Sequence, residues 1–106
     1  MRGSMITVKP YRGSYTNGYT VEGHADYAEH GQDIVCAGVS ALAQSTEFSL
    51  MRYANVESIA SDGFLQVDVT NPNIYTHVLI SSMVNGMLHI EDIYPQYLYV
   101  EKEKRT

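Results

Sequence analysis

The hydrophobic period of this chain changes from two to about three and a half and back, twice, and that switching leaves few folds open. Residues 6–11 alternate apolar and polar, a strand pattern closed by Arg12-Gly13-Ser14. A second strand is predicted over 15–23, with Tyr15, Tyr19 and Val21 on one face. Asn17-Gly18 interrupts it as a bulge or as the hairpin turn itself. Residues 25–32 have no period and read as a loop. Asp33 then opens a helix as its cap, running to about Met51 with Val35, Val39, Leu42 and Ala43 at three- and four-residue spacing. Residues 56–60 and 64–70 read as strands about an Ser61-Asp62-Gly63 turn. Asn71-Pro72 pairs a capping Asn with a Pro at the first helical position. The strongest helical stripe follows: Tyr75, Val78, Leu79, Ser82, Met83, Gly86, Met87 and Ile90. Pro95 divides it from a last strand over 96–101. The order strand, strand, helix, strand, strand, helix, strand predicts an α/β (α+β) chain. Its architecture is a single mixed or antiparallel sheet of about five strands with two helices on a face.

A chain of 106 residues holds one such domain. Residues 1–4, Met-Arg-Gly-Ser before a second Met, read as an added leader, with 5–106 as the domain. Seven Lys+Arg against twelve Asp+Glu give a net charge of -5, which argues against a generic nucleic-acid binder. No apolar run approaches the roughly twenty residues of a membrane span, and no secretory signal precedes Ile6-Thr7-Val8-Lys9. A reducing cytoplasm is the default setting. The single Cys excludes a disulfide scaffold and a Cys-rich zinc module. That Cys is either core filler or the centre of the chemistry.

Its surroundings favour chemistry. His24 falls at the C-terminal end of a predicted strand, and Cys36 falls in the first turn of the predicted helix. Helix N-termini carry free N–H groups and about half a positive charge, which favours thiolate over thiol. An imidazole nearby would act as acid and base, and the free amides of Ile34, Val35 and Cys36 would face an oxyanion. Asp33 opposes this, because a carboxylate near a thiol disfavours the thiolate; capping the helix or facing His24 would reduce the penalty. Ser40, one turn beyond Cys36, either bonds to the thiolate or bonds back to its own helix. The plainer alternatives stay open: Cys is among the most buried residue types, and a strand-end His is commonly a surface residue. His24, Asp26, His30 and Cys36 could in principle hold a metal, but their spacing matches no standard zinc signature.

Gly23-His24-Ala25, eight further residues, then Asp33-Ile34-Val35-Cys36-Ala37-Gly38-Val39-Ser40 resembles the signature of the bacterial ribosomal-processing cysteine protease family, Prp. That family carries GHA, a short loop, and D-x-V-C-A-[AG]-x-S. The resemblance implies an endopeptidase that removes an N-terminal extension from a large-subunit ribosomal protein, the twenty-seventh, during ribosome assembly. It implies Cys36 as nucleophile and His24 as acid and base, with Asp33 and Ser40 in supporting positions. It also implies a homodimer, a mobile cover over 25–32, and a hydrophobic substrate segment ending in Phe. Thiol proteolysis needs no metal or cofactor. An acidic enzyme and a basic ribosomal protein attract each other, with no membrane or direct nucleic-acid partner required. Two rivals share the fold: a non-enzymatic ribosome-assembly or RNA-binding module, and a small-molecule thiol hydrolase.

Overall fold

The computed structural model describes residues 5–13, 17–23, 30–102 and 104–105; at 30–33 and 104–105 it describes backbone only. The leader assigned to residues 1–4 lies outside the described residues. The element order is β1 (Ile6–Arg12), β2 (Asn17–Glu22), α1 (His30–Leu50), β3 (Val56–Ser61), β4 (Phe64–Val69), α2 (Ile74–Ile93) and β5 (Leu98–Val100). A two-residue β6 (Lys104–Arg105) follows, which the sequence pattern did not separate from the charged end. The sheet is mixed, in the order β3-β4-β2-β1-β5, with β6 also paired to β1. Pairing is antiparallel except where β1 meets β5 and β6.

Register explains the one-sided core. Val8 lies opposite both Val21 and Val100, and Tyr19 lies opposite both Pro10 and Val67. Alternation puts these side chains on one face, where Ile6, Val8, Tyr19, Val67, Val69, Leu98 and Val100 are buried. Both helices cover that face: Val35, Val39, Ala43, Thr46 and Leu50 are buried on α1, and Thr76, Ile80, Met83 and Met87 on α2. The helices run against each other through two reciprocal contacts. A Cβ on Gly38 would stand 3.1 Å from Ile90 Cδ1, and one on Gly86 would stand 3.0 Å from Leu42 Cδ1. Each glycine thus receives a branched side chain from the other helix.

The opposite face is polar and held by its own bonds. Tyr11, Gly18 and Asp68 lie side by side across β1, β2 and β4. With no side chain at Gly18, the Tyr11 hydroxyl reaches over it to the Asp68 carboxylate and donates to it. The same hydroxyl lies 3.3 Å from the Val67 carbonyl. Gln66 Nε2 donates to the other Asp68 oxygen at 2.9 Å.

Four expectations are corrected. Asn17-Gly18 is neither turn nor bulge but regular strand, Asn17 facing Arg12 and Gly18 facing Tyr11. The helix expected from Asp33 begins at His30, so residues 30–32 are helix and not loop. α2 is capped by Asn73, not by Asn71 followed by Pro72. Asn73 Oδ1 accepts from Tyr75 N at 2.9 Å and Thr76 N at 3.1 Å, while Thr76 Oγ1 accepts from Asn73 N at 2.8 Å, a reciprocal capping box. Asn71 instead accepts the Asn55 amide at 2.8 Å. The stripe of α2 holds at Leu79, Met83, Met87 and Ile90 but is turned at its start: Tyr75 and Val78 are exposed, and Thr76 and Ile80 take the inward positions.

Candidate active site

The site region is assembled from the end of β2 and the beginning of α1. β2 leaves the sheet at Gly23, whose φ of +101° favours glycine. A Cβ there would lie 2.4 Å from the Met5 carbonyl oxygen, and the Gly23 amide donates to the Gly63 carbonyl at 2.8 Å. The chain is therefore held on both sides, by the start of β1 and by the β3–β4 turn, one residue before His24. His24 itself lies outside the described residues, as do Ala25 and Asp26 and the rest of 24–29.

α1 is tied to β2 by a buried bond: the Tyr19 hydroxyl donates to the Ala43 carbonyl at 2.7 Å. Burial, reinforced by Glu47, pushes that hydroxyl well above the ordinary phenol range, so it stays a donor. Two turns earlier on the same helix Cys36 is half-buried, a free thiol packed against the core beside fully buried Val35. Ser40, one turn on, is exposed.

With α1 starting at His30, Asp33 is the fourth helical residue rather than the cap, and Cys36 lies in the second turn. A carboxylate in the first turn still complements the helix dipole. The proposed oxyanion donors change for the same reason. The amides without an acceptor in a helix are those at its very start, and α1 starts at His30. The Val35 and Cys36 amides stand four residues past Gly31 and Gln32 and belong to the helical ladder.

A groove of about 290 Å³ runs between α1 and the β3–β4 hairpin. Gly23, Ser40 and Gln44 form one part of its wall, and Ser61, Phe64 and Leu65 form another. Its walls thus include the residue before His24 and the residue one turn from Cys36. Sequence reasoning missed the hairpin's contribution. The Asp62-Gly63 turn was visible, but its docking onto Gly23 depends on a contact forty residues apart in the chain. Among the described residues, no three His, Cys, Asp or Glu side chains are placed to hold a metal ion. Among them also, no helix is long and apolar enough to cross a membrane.

Residues 5–99 match the protein family described as cysteine protease Prp. The ribosomal processing cysteine protease Prp of Mycoplasma pneumoniae is 28% identical over 95 residues, covering 81% of this chain and 87% of that protein. Its counterpart from Bacillus subtilis is 40% identical over 45 residues, covering 42% of this chain and only 40% of that protein. The S. aureus ribosomal processing protease Prp, solved with a substrate peptide, superposes with a TM-score of 0.82 at 23% identity, over 94% of this chain and all of that one. Solved with a covalently linked product peptide, it gives a TM-score of 0.79 at 25% identity over the same shares. At this level of identity the superposition speaks for the fold.

Proposed function

This chain belongs to the cysteine protease Prp family and is thereby a hydrolase of the cysteine protease class, and from that membership we propose that it removes the N-terminal extension of a large-subunit ribosomal protein, the twenty-seventh. Cys36 is the nucleophile and His24 the acid and base. Thiolate attack on the scissile carbonyl forms an acyl-enzyme, the imidazolium protonates the leaving amine, and His24 then activates the water that hydrolyses the thioester. Asp33 and Ser40 support the pair from the same helix.

The observation that carries this reading is the shared groove. Gly23 precedes His24 in the chain, Ser40 is one helical turn from Cys36, and both wall a single groove between α1 and the β3–β4 hairpin. A peptide in that groove has a half-buried free thiol within a turn of one wall. The S. aureus relative carries substrate and covalently linked product peptides, which supports a peptide in the equivalent role here. A net charge of -5 suits a basic substrate, and a homodimer in the cytoplasm completes the reading. The non-enzymatic module raised from the sequence gives way to a family of proteases.

The test is cleavage of a synthetic peptide spanning the extension and its junction. Cys36→Ala and His24→Ala each abolish cleavage while the far-ultraviolet circular dichroism stays that of the parent. Full cleavage by a folded Cys36→Ala chain would end the proposal.

A further inference from the structure

The backbone of β3 has a definite phase. The Thr70 amide donates to the Asn55 carbonyl at 3.0 Å, which makes Asn55 and Thr70 a hydrogen-bonded pair just before β3 begins. Bonded and non-bonded pairs alternate along an antiparallel ladder, so the next bonded pairs are Glu57–Asp68, Ile59–Gln66 and Ser61–Phe64. β4 agrees from its other side. There the Gly63 carbonyl accepts from the Gly23 amide, and the register makes Leu65 and Val67 the residues bonded to β2. Val56, Ser58 and Ala60 therefore turn their N–H and C=O groups away from β4. Among the described residues β3 is bonded to no other strand, so these groups line a bare margin.

The same residues send their side chains toward the helices. The Ser58 hydroxyl donates to Glu47 of α1 at 2.7 Å, and Ala60 lines the groove of about 290 Å³ together with Ala43, Gln44 and Leu65. Ile59, between them, points to the open face of the sheet and is exposed. Glu47 lies beside Ser58, while Gln44 and Ser40 share the groove with Ala60 and Ser61, so α1 and β3 run in opposite directions along it. Followed toward the hairpin, the groove therefore heads for Cys36. Gln44 and Ser40 stand eight and four residues from Cys36, about 12 and 6 Å at the helical rise. An extended peptide spans those distances in about two to four residues.

Resting on the peptidase reading above, we propose that the peptide substrate adds to β3 as a further strand. Its main chain bonds to Ser58 and Ala60, and alternate side chains drop into the groove beside Ala43 and Leu65. Strand addition separates affinity from selectivity: main-chain bonds hold any sequence, while the groove inspects every second side chain. The residue facing Ala60 meets an apolar wall and must itself be apolar. Its neighbours in the peptide point to the open face, where they cover Ile59, and there the choice is wide. The scissile bond then falls about two to four residues from the one facing Ala60.

The test uses the synthetic peptide spanning the extension and its junction. Bound to the Cys36→Ala chain, it is expected to slow hydrogen exchange at the Ser58 and Ala60 amides at least tenfold. The change at Ile59, already bonded to β4, is smaller. A second measurement needs no protein variant: the parent chain is given peptides N-methylated at one backbone amide at a time. Alternate positions lose at least tenfold in kcat/KM, and those between them less than threefold. A peptide that the parent cleaves, without protection of Ser58 and Ala60 or without that alternation, overturns the strand addition and leaves the peptidase reading standing. A peptide neither bound nor cleaved overturns both. Protection of the two amides that rises with protein concentration in the absence of peptide assigns the margin to a second copy and also overturns the proposal.

Discussion

Alanine at Gly18 probes a close approach between β2 and β4. The new Cβ would stand 2.0 Å from the Val67 carbonyl oxygen and 2.7 Å from the Tyr11 hydroxyl. Real Cβ contacts essentially never fall below 3.0 Å, so β2 and β4 must separate by at least 3.0 − 2.0 = 1.0 Å. Neither obstacle yields easily. The Val67 oxygen is backbone of a residue with 0% exposure, and the Tyr11 hydroxyl is held by Asp68. An opening of that size breaks two or three neighbouring ladder bonds at about 1 kcal/mol each, in addition to overpacking strain of about 1–3 kcal/mol. The expected loss is about 3–6 kcal/mol. For a domain near one hundred residues each kcal/mol moves Tm by about 4 °C or more, so Tm falls by roughly 12 °C at the least. Urea and thermal unfolding followed by circular dichroism measure both quantities. Gly86→Ala is the internal comparison: there the neighbour is the mobile end of Leu42, and helix propensity returns about 1 kcal/mol. It should stay within about 1 kcal/mol of the parent. A Gly18→Ala chain equally close to the parent, with an unchanged denaturant slope, refutes the reasoning.

Three further outcomes follow from buried or capping polar groups. Tyr19→Phe removes the hydroxyl that donates to the Ala43 carbonyl and should cost about 1 kcal/mol, read as a lower urea midpoint. Asn73→Ala deletes the acceptor for two amides of α2 and the donor to the Tyr53 carbonyl; a loss of about 1–2 kcal/mol in urea unfolding is expected. Burial raises the Asp68 carboxyl above its ordinary value, so the folded chain holds that proton more tightly than the unfolded one. Its contribution to stability is complete below the unfolded value of about 3.9 and is lost as pH rises through the folded value. Asp68→Asn should flatten the stability profile in the range just above pH 4, measured by urea midpoints across pH.

What the sequence made legible was period, and what it hid was phase and partners. Alternation at Ile6 and Val8 placed β1 correctly because one face of that strand is wholly buried. The stripe of α2 went wrong only at its start, because hydrophobicity cannot see that Thr76 satisfies its own hydroxyl. Bonded to the Asn73 amide and carbonyl, it is fully buried, and Tyr75 turns outward to stack on Tyr53 with ring centroids 5.1 Å apart. The Asn71-Pro72 pair has good capping chemistry, but the Asn71 side chain is committed to Asn55, sixteen residues back. At the candidate site the motif singled out Cys36, which the structure places half-buried on α1. The start of α1 was misplaced by three residues because Asp33 suits a first turn as well as a cap. The hairpin wall contributed by Ser61 and Phe64 left no trace in local sequence.

The two margins of the sheet are unlike. Among the described residues β3 is a full six-residue strand bonded only to β4, with Ile59 59% exposed. At the other margin β5 has three residues, and Glu91 of α2 reaches across to accept the Val100 amide at 2.8 Å. A strand arriving there finds a donor already occupied and little length to follow. Among the described residues the sheet therefore has one long open edge, along β3, where an added strand would find free backbone groups.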